Sequence, residues 1–209
     1  MKALSLFSGG LDSLLVIKIL QKQGIDVTGI CFISSFFDAE KAKAIAVKND
    51  FKLRTVDIKT GLLDLVKDPP SGHGKNLNPC VDCHSLMIKK AGEIARLEGF
   101  DIVSTGEVLG QRPFSQNKES LKKVKKLSGV DVMRPLSAKL LEETEAERGG
   151  FVDREKLYDI KGRSRDKQKE LLEEFAIVEY PSPAGGCVLT DRGFCERLSA
   201  MLENWPDCD

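Results

Sequence analysis

Short apolar runs alternate with helical periodicity through the first third of the chain. Ala3 to Phe7 is an apolar run that stops at Ser8-Gly9-Gly10, the pattern of a buried strand closed by a tight turn. Leu14, Leu15, Val16, Ile17 and Leu20 then suit a buried helix that ends at Gly24. Val27 to Ile33 is a second β-rich run, Ala39 to Lys48 an alanine-rich helix, and Leu53 to Ile58 a third strand. This βαβαβ opening predicts an α/β fold with a parallel sheet and helices on both faces.

The rhythm breaks at Asp68-Pro69-Pro70-Ser71-Gly72-His73-Gly74-Lys75-Asn76, a glycine- and proline-rich stretch expected to form a mobile loop with a solvated His73. Met87, Ala91, Ile94 and Ala95 mark one face of a helix that closes at Gly99. Asp101 to Thr105 reads as a fourth strand and Val130 to Met133 as a fifth. Beyond them, helices are expected at Ala138 to Arg148, near Asp153 to Tyr158, and at Ser164 to Phe175. The expected organisation is a nucleotide-binding domain over 1–137 and a smaller C-terminal appendage over 138–209. The appendage would fold back on the site and bring Cys187 to it.

Composition narrows the class. Of 209 residues, 41% are apolar, enough for a substantial core. Lysine plus arginine and aspartate plus glutamate number 32 each, so the net charge is zero. That argues against bulk electrostatic capture of nucleic acid but leaves room for a local basic face. No apolar run approaches the roughly 18 residues of a membrane span. The apolar run at the N-terminus is too short for a signal peptide. The chain therefore reads as cytoplasmic, with no membrane partner. In that compartment its six cysteines are ligands, nucleophiles or buried thiols rather than disulfides.

The first chemical motif is Ser8-Gly9-Gly10-Leu11-Asp12-Ser13, set between a strand and a helix. Glycines allow positive backbone angles and close approach of a ligand. Turn amides and the first helical amides, with the helix dipole behind them, make an anion site. Ser8 and Ser13 add hydroxyls. Asp12 fits a phosphate site only if a cation bridges it, which implies Mg2+.

The second motif is Cys80-Val81-Asp82-Cys83 at the head of a helix, with Cys187 far downstream after Ala184-Gly185-Gly186. A helix N-terminus favours the thiolate. Three thiolates can hold three irons of a 4Fe-4S cluster and leave the fourth open. A catalytic pair without a cluster, and a structural zinc completed by His84, are alternatives. Cys31, Cys195 and Cys208 have no partner motif and read as buried or incidental.

These residues resemble a known family. Ser8 to Ser13 match the SGGxDS signature of the PP-loop ATP pyrophosphatases. There is no Gly-Lys-Ser/Thr, so this is not a Walker loop. The resemblance implies a doubly wound, Rossmann-like, five-stranded parallel sheet of the adenine nucleotide α-hydrolase type. It implies ATP at the strand ends, held by Ser8, Gly9, Gly10, Leu11, Asp12 and Ser13, with Cys31, Phe32, Ile33 and Gly106 lining the nucleotide. Thr105-Gly106-Glu107-Val108-Leu109-Gly110-Gln111-Arg112-Pro113-Phe114-Ser115-Gln116 looks like a stretch of the tRNA 4-thiouridine synthetase PP-loop domain, and Met133-Arg134-Pro135-Leu136 resembles the segment after its next strand. Asn78-Pro79-Cys80 with Gly185-Gly186-Cys187 is similar to the cysteine sites of the tRNA 2-thiouridylases. The additional Cys83 is similar to the iron–sulfur tRNA thiolation enzymes.

The resemblance implies adenylation of a base carbonyl oxygen with loss of pyrophosphate, then displacement of AMP by sulfur. Asp12, Cys80 and Cys187 would be catalytic, Gln111, Arg112 and Ser115 would contact substrate, and Cys80, Cys83 and Cys187 would be the metal ligands. The implied partners are tRNA and a sulfur donor. The RNA-binding domains and the rhodanese extension of the 4-thiouridine synthetases are expected to be absent, and a separate RNA-binding partner protein is a further expectation. Lys118, Lys122, Lys123, Lys125 and Lys126 form one candidate RNA face, and Lys161, Arg163, Arg165, Lys167 and Lys169 another. Two rival readings stand beside this one: a ligase or sulfurtransferase acting on a small molecule, and a non-catalytic binding module with structural zinc.

Overall fold

A computed structural model describes residues 1–177, 180 and 187–205. Four strands form one parallel sheet: β1 (Lys2–Leu6), β2 (Asp26–Ile33), β3 (Lys52–Asp57) and β4 (Ile102–Ser104). Their order is β3-β2-β1-β4, with Lys2 opposite Asp26 and Ala3 opposite Ile102. The chain steps outward from β1 on one side, then returns to add β4 on the other. That reversal opens a crevice beyond the carboxyl end of β1, where ligands of open α/β sheets bind.

Both faces of the sheet are covered. Alternate side chains of a strand point to opposite faces, and the core divides accordingly. Ala3, Val27 and Cys31 join one apolar cluster with Leu14, Leu15 and Ile17 of α1 (Leu11–Lys22) and Ile45 of α2 (Glu40–Lys48). Leu4, Ile30 and Phe32 join the other, with Leu62 of α3 (Lys59–Lys67), Ile88 and Ala91 of α4 (Cys80–Glu98), and Val124 of α5 (Lys118–Ser128). The doubly wound architecture follows from this division.

Several elements depart from the sequence reading. The expected fifth strand is a single parallel bridge between Ser104 and Met133. Thr105 N–H donates to Met133 O (2.9 Å) and Met133 N–H to Val103 O (2.9 Å), after which Pro135, lacking an N–H, stops the ladder. The sheet thus has four strands rather than five. The helix expected over 138–148 is a short 3-10 turn (Ala138–Leu140) and one turn of α6 (Glu145–Arg148), which starts at a capping box of Thr144 and Glu147. Further helices are α7 (Asp166–Glu174) and α8 (Arg192–Asn204). Leu136, Leu157, Ile160, Leu171 and Leu172 pack into the same cluster as α1.

The loop over 68–76, expected to be mobile, carries specific bonds. Ser71 donates both its N–H and its hydroxyl to buried Asp82 (2.8 and 2.6 Å). Gly74 N–H donates to Asn78 O (2.8 Å), and exposed His73 bonds Val66 O through Nε2 (3.0 Å).

Candidate functional site

The phosphate loop is fixed by local geometry. Phe7 N–H donates to Ile30 O (2.8 Å), extending the β1 ladder to the edge of the turn. Gly9 then takes a φ of +74°, and a Cβ there would lie 3.0 Å from the Ala42 nitrogen. Only glycine meets both demands without strain. Gly10 is the N-cap of α1, and its carbonyl accepts from Leu14 N–H (3.1 Å) and the Ser13 hydroxyl (2.9 Å). Ser13 is therefore turned into its own helix, while Ser8 is exposed.

Asp12, in the first turn of α1, draws three other residues to it. Gln111 Nε2 donates to Oδ2 (2.9 Å), Gln168 Nε2 donates to Oδ1 (3.3 Å), and Arg165 Nη2 lies 4.0 Å from Oδ2. Gly106 packs against the same turn so tightly that a Cβ would sit 2.6 Å from the Ser13 nitrogen. Of the strand-end residues, Cys31 and Phe32 are buried in opposite cores, while Ile33 is only partly buried. Burial pushes the Cys31 thiol up to about 11, with Asp38 adding to the shift and Lys43 opposing it. Leu11 is buried against the same core as Cys31.

The cysteine site is assembled from separate segments. Cys80 opens α4, and Cys83 N–H donates to Pro79 O (2.8 Å). Asp82, between them, anchors Ser71. From the same loop, Asn76 Nδ2 donates to Thr190 O (2.8 Å), and Thr190 donates its N–H (2.8 Å) and hydroxyl (2.7 Å) to Cys187 O. One loop thus ties the α4 start to the Cys187 segment. The Ala184-Gly185-Gly186 stretch and Cys208 lie outside the described residues. Cys195 is buried, its thiol donating to Leu189 O (3.2 Å).

The three thiols share one electrostatic neighbourhood. Burial pushes Cys83 up to about 12, and Cys80, Cys187 and Asp82 add to the shift. Burial also raises Cys187; the Leu189 backbone and the Arg112 guanidinium oppose it, while Cys80 reinforces it. As a donor set these thiols suit iron or zinc. Among the described residues, however, no three His, Cys, Asp or Glu side chains are arranged to hold a metal ion.

Neighbouring residues of one loop serve both regions. Gln111 binds Asp12, and the charge of the next residue, Arg112, opposes the burial-driven rise of the Cys187 thiol. The loop folds on itself through Gly110 N–H to Gln116 O (2.7 Å) and Gln116 N–H to Arg112 O (2.8 Å). Ser115 is buried inside it, its hydroxyl without a hydrogen-bond partner.

A buried ion network missed by the sequence reading braces this loop. Glu107 accepts from Arg134 Nε (2.9 Å) and the Thr105 hydroxyl (3.1 Å) on Oε2, and its Oε1 lies 2.8 Å from His84 Nδ1. Burial alone would disfavour the carboxylate, but Arg134 and His84 outweigh it and hold Glu107 down at about 2. His84 follows Cys83 directly, yet its Nδ1 is engaged with Glu107 instead of standing with the thiols. The signal lay in Glu107 and Arg134, both inside stretches already singled out; nothing in their spacing showed that they meet. Gln168 and Arg165 were also missed as neighbours of Asp12.

The family described as Thiamine biosynthesis protein (ThiI) matches residues 1–143, more than half of the sequence. The chain belongs to this family. Among curated relatives, tRNA-specific 2-thiouridylase MnmA of Treponema denticola is 35% identical over 123 residues, covering 51% of this chain and 33% of that protein. A Probable tRNA sulfurtransferase of Acholeplasma laidlawii is 30% identical over 150 residues, covering 65% of this chain and 34% of its own length. The chain spans about a third of the length of these relatives. Among solved structures, a 4-thiouridine synthetase in complex with RNA and ATP aligns over 98% of this chain and 51% of its own, with a TM-score of 0.57 and 23% identity. That likeness establishes the fold, an α/β parallel sheet of the PP-loop type.

The two candidate RNA faces differ. On α5 the side chains of Leu121 and Val124 are buried and the lysines exposed. Lys122 lies 3.5 Å from Glu142. In the second group, Lys167 pairs with Glu170 (3.0 Å), and Arg165 turns towards Asp12. No helix among the described residues is long and apolar enough to cross a membrane.

Proposed function

We propose that this chain thiolates a tRNA uridine at the expense of ATP in the cytoplasm. The reading rests on one observation above others: Gln111 reaches the aspartate of the phosphate loop, and the same loop carries Arg112, whose charge opposes the burial-driven rise of the Cys187 thiol. A base held over this loop would have the α-phosphate on one side and sulfur on the other. The names of the curated relatives support the same substrate class.

The base carbonyl oxygen attacks the α-phosphate, the α–β bond breaks, and pyrophosphate leaves. The oxygen has then become part of AMP, a good leaving group. A sulfur nucleophile adds at the activated carbon, the C–O bond breaks, and AMP departs with the oxygen. The amides at the start of α1 stabilise the phosphate charge. Asp12 would hold Mg2+, which neutralises charge on the transferring phosphoryl group. Gln111 orients Asp12, and Arg112 opposes the rise that burial imposes on the Cys187 thiol, while Ser115 is buried within the loop and shapes it from inside.

In one reading Cys80, Cys83 and Cys187 would be the donors of a 4Fe-4S cluster, which would supply an open position for sulfur. A second reading is favoured by the packing of Cys83 into the apolar core beside α4. Here Cys80 or Cys187 carries a persulfide, the other resolves it, and an external thiol reduces the resulting disulfide. Both readings need a sulfur donor, and a separate RNA-binding partner protein would supply grip on tRNA.

The decisive experiment measures pyrophosphate and AMP release by anaerobically purified protein with unmodified tRNA, followed by nucleoside mass spectrometry. Release that depends on tRNA, with a thiolated uridine, is expected. Turnover indifferent to tRNA overturns the reading and favours a small-molecule substrate. Cys83→Ser separates the cluster from the pair, because only the cluster requires the third thiol.

A further inference from the structure

Asp12 and α7 are about 150 residues apart in sequence, yet α7 lies alongside α1 in the same direction. At one end, Arg165 and Gln168 meet Asp12 in the first turn of α1. At the other, Glu174 accepts from Lys22 in the last turn of α1 (2.6 Å). Asp12 to Lys22 and Arg165 to Glu174 span nearly equal helical lengths, at about 1.5 Å per residue. The helices are therefore parallel, and both N-terminal, positive ends face the phosphate loop.

Gln168 is the second, independent observation. It is 0% exposed, so its carboxamide is wholly inside the protein. Its Nε2 is shared between Asp12 Oδ1 (3.3 Å) and Gln111 Oε1 (3.4 Å), and its Oε1 has no hydrogen-bond partner. Turning the amide over would aim Oε1 at a carboxylate, so the orientation is fixed. A buried acceptor left unpaired is costly, and it belongs to the side chain whose Nε2 reaches Asp12 and Gln111.

We propose that α7 forms a wall of the triphosphate site. Gln168 is a positioning residue that holds Asp12 against Gln111. Arg165 binds the phosphates of a nucleoside triphosphate. It is 31% exposed and at 4.0 Å is only loosely paired with Asp12, so its guanidinium is available to the ligand. A phosphate accepts the guanidinium fork in two parallel hydrogen bonds. Arg165 thus leaves the RNA-facing group in which its sequence neighbours place it. The inference rests on the ATP reading of the phosphate loop.

The test compares binding of a non-hydrolysable α,β-methylene ATP analogue with Mg2+, and of adenosine, to the full chain by calorimetry. Arg165→Ala is expected to weaken the triphosphate by about tenfold or more and leave adenosine unchanged. Arg165→Lys should recover part of the loss. Gln168→Ala should weaken the triphosphate in the same way. Amides of α7 should gain protection from hydrogen exchange when the analogue binds. Lys167→Ala, an exposed neighbour, should bind as wild type. Triphosphate affinity unchanged in both Arg165→Ala and Arg165→Lys overturns the proposal, and so does equal weakening of adenosine and triphosphate. A wild-type chain that binds no analogue overturns the ATP reading itself, which separates the two failures.

Discussion

Six consecutive residues make the phosphate loop, whereas the cysteine site draws on the loop at 71–79, the start of α4 and the segment at 187–190. The first is held by backbone demands that only glycine meets, at Gly9 and Gly106. The second is held by side chains reaching across the chain: Asp82 to Ser71, and Asn76 to Thr190. The difference teaches where each site is vulnerable. A backbone-built site fails when an atom is added, and a side-chain-built site fails when a hydrogen bond is removed. The buried Glu107 network touches both, through Gly106's neighbours on one side and His84 of α4 on the other.

Breaking that shared network should have the largest effect. Glu107→Ala leaves the Arg134 guanidinium buried without its carboxylate, at a cost of about 3–5 kcal/mol. Chemical denaturation should show this loss, and nucleotide binding and cysteine accessibility should change together. If only one changes, the two regions are not coupled through Glu107. The pH dependence has a definite sign. The folded carboxyl sits at about 2, below its ordinary value of 4.5. Its contribution is therefore complete above about 4.5 and disappears as pH falls towards 2. Wild type should lose stability across that window, and Glu107→Gln should lose less of its remaining stability there.

Gly106→Ala sharpens the contrast from the phosphate side. The new methyl would fall 2.6 Å from the Ser13 nitrogen, a backbone atom that cannot move aside alone. Overpacking of this kind costs about 1–3 kcal/mol. Nucleotide affinity should collapse while a thiol reagent labels Cys80 at the wild-type rate. Unchanged nucleotide binding would show that the close approach of Gly106 to α1 has no part in the site.

Asp82→Asn is the matching test on the cysteine side. It keeps the volume but removes the charge that accepts both bonds from Ser71, a loss of about 1–2 kcal/mol. The loop should loosen, the labelling of Cys80 and Cys187 should quicken, and nucleotide affinity should stay within twofold by calorimetry. Labelling at the wild-type rate would mean that Ser71 does not guard the thiols.

The phosphate loop and the first three strands were legible because their information is local. An apolar run, two glycines and a helix lie within the first twenty residues. The fifth strand was misread because Val130 to Met133 has the right apolar character, and only its position beside Pro135 limits it to one bridge. The bonds of the loop at 68–76 were not legible because Pro and Gly report backbone freedom, while the bonds from Ser71 and Asn76 depend on distant partners. Gln168 was invisible for the same reason. Nothing in a polar helix says that one glutamine is wholly buried against an aspartate 156 residues earlier.

The smallest structural effect is expected where neither site is touched. Lys123 and Lys126 lie on the exposed face of α5, away from the buried Leu121 and Val124. Replacing both with alanine should change stability by no more than about 0.5 kcal/mol. Nucleotide affinity and thiol labelling should both stay as in wild type. If α5 faces tRNA, the slope of log affinity against log salt should flatten by roughly one for each phosphate contact removed. The measurement is a filter-binding titration of unmodified tRNA at several salt concentrations. An unchanged slope would remove α5 from the RNA interface.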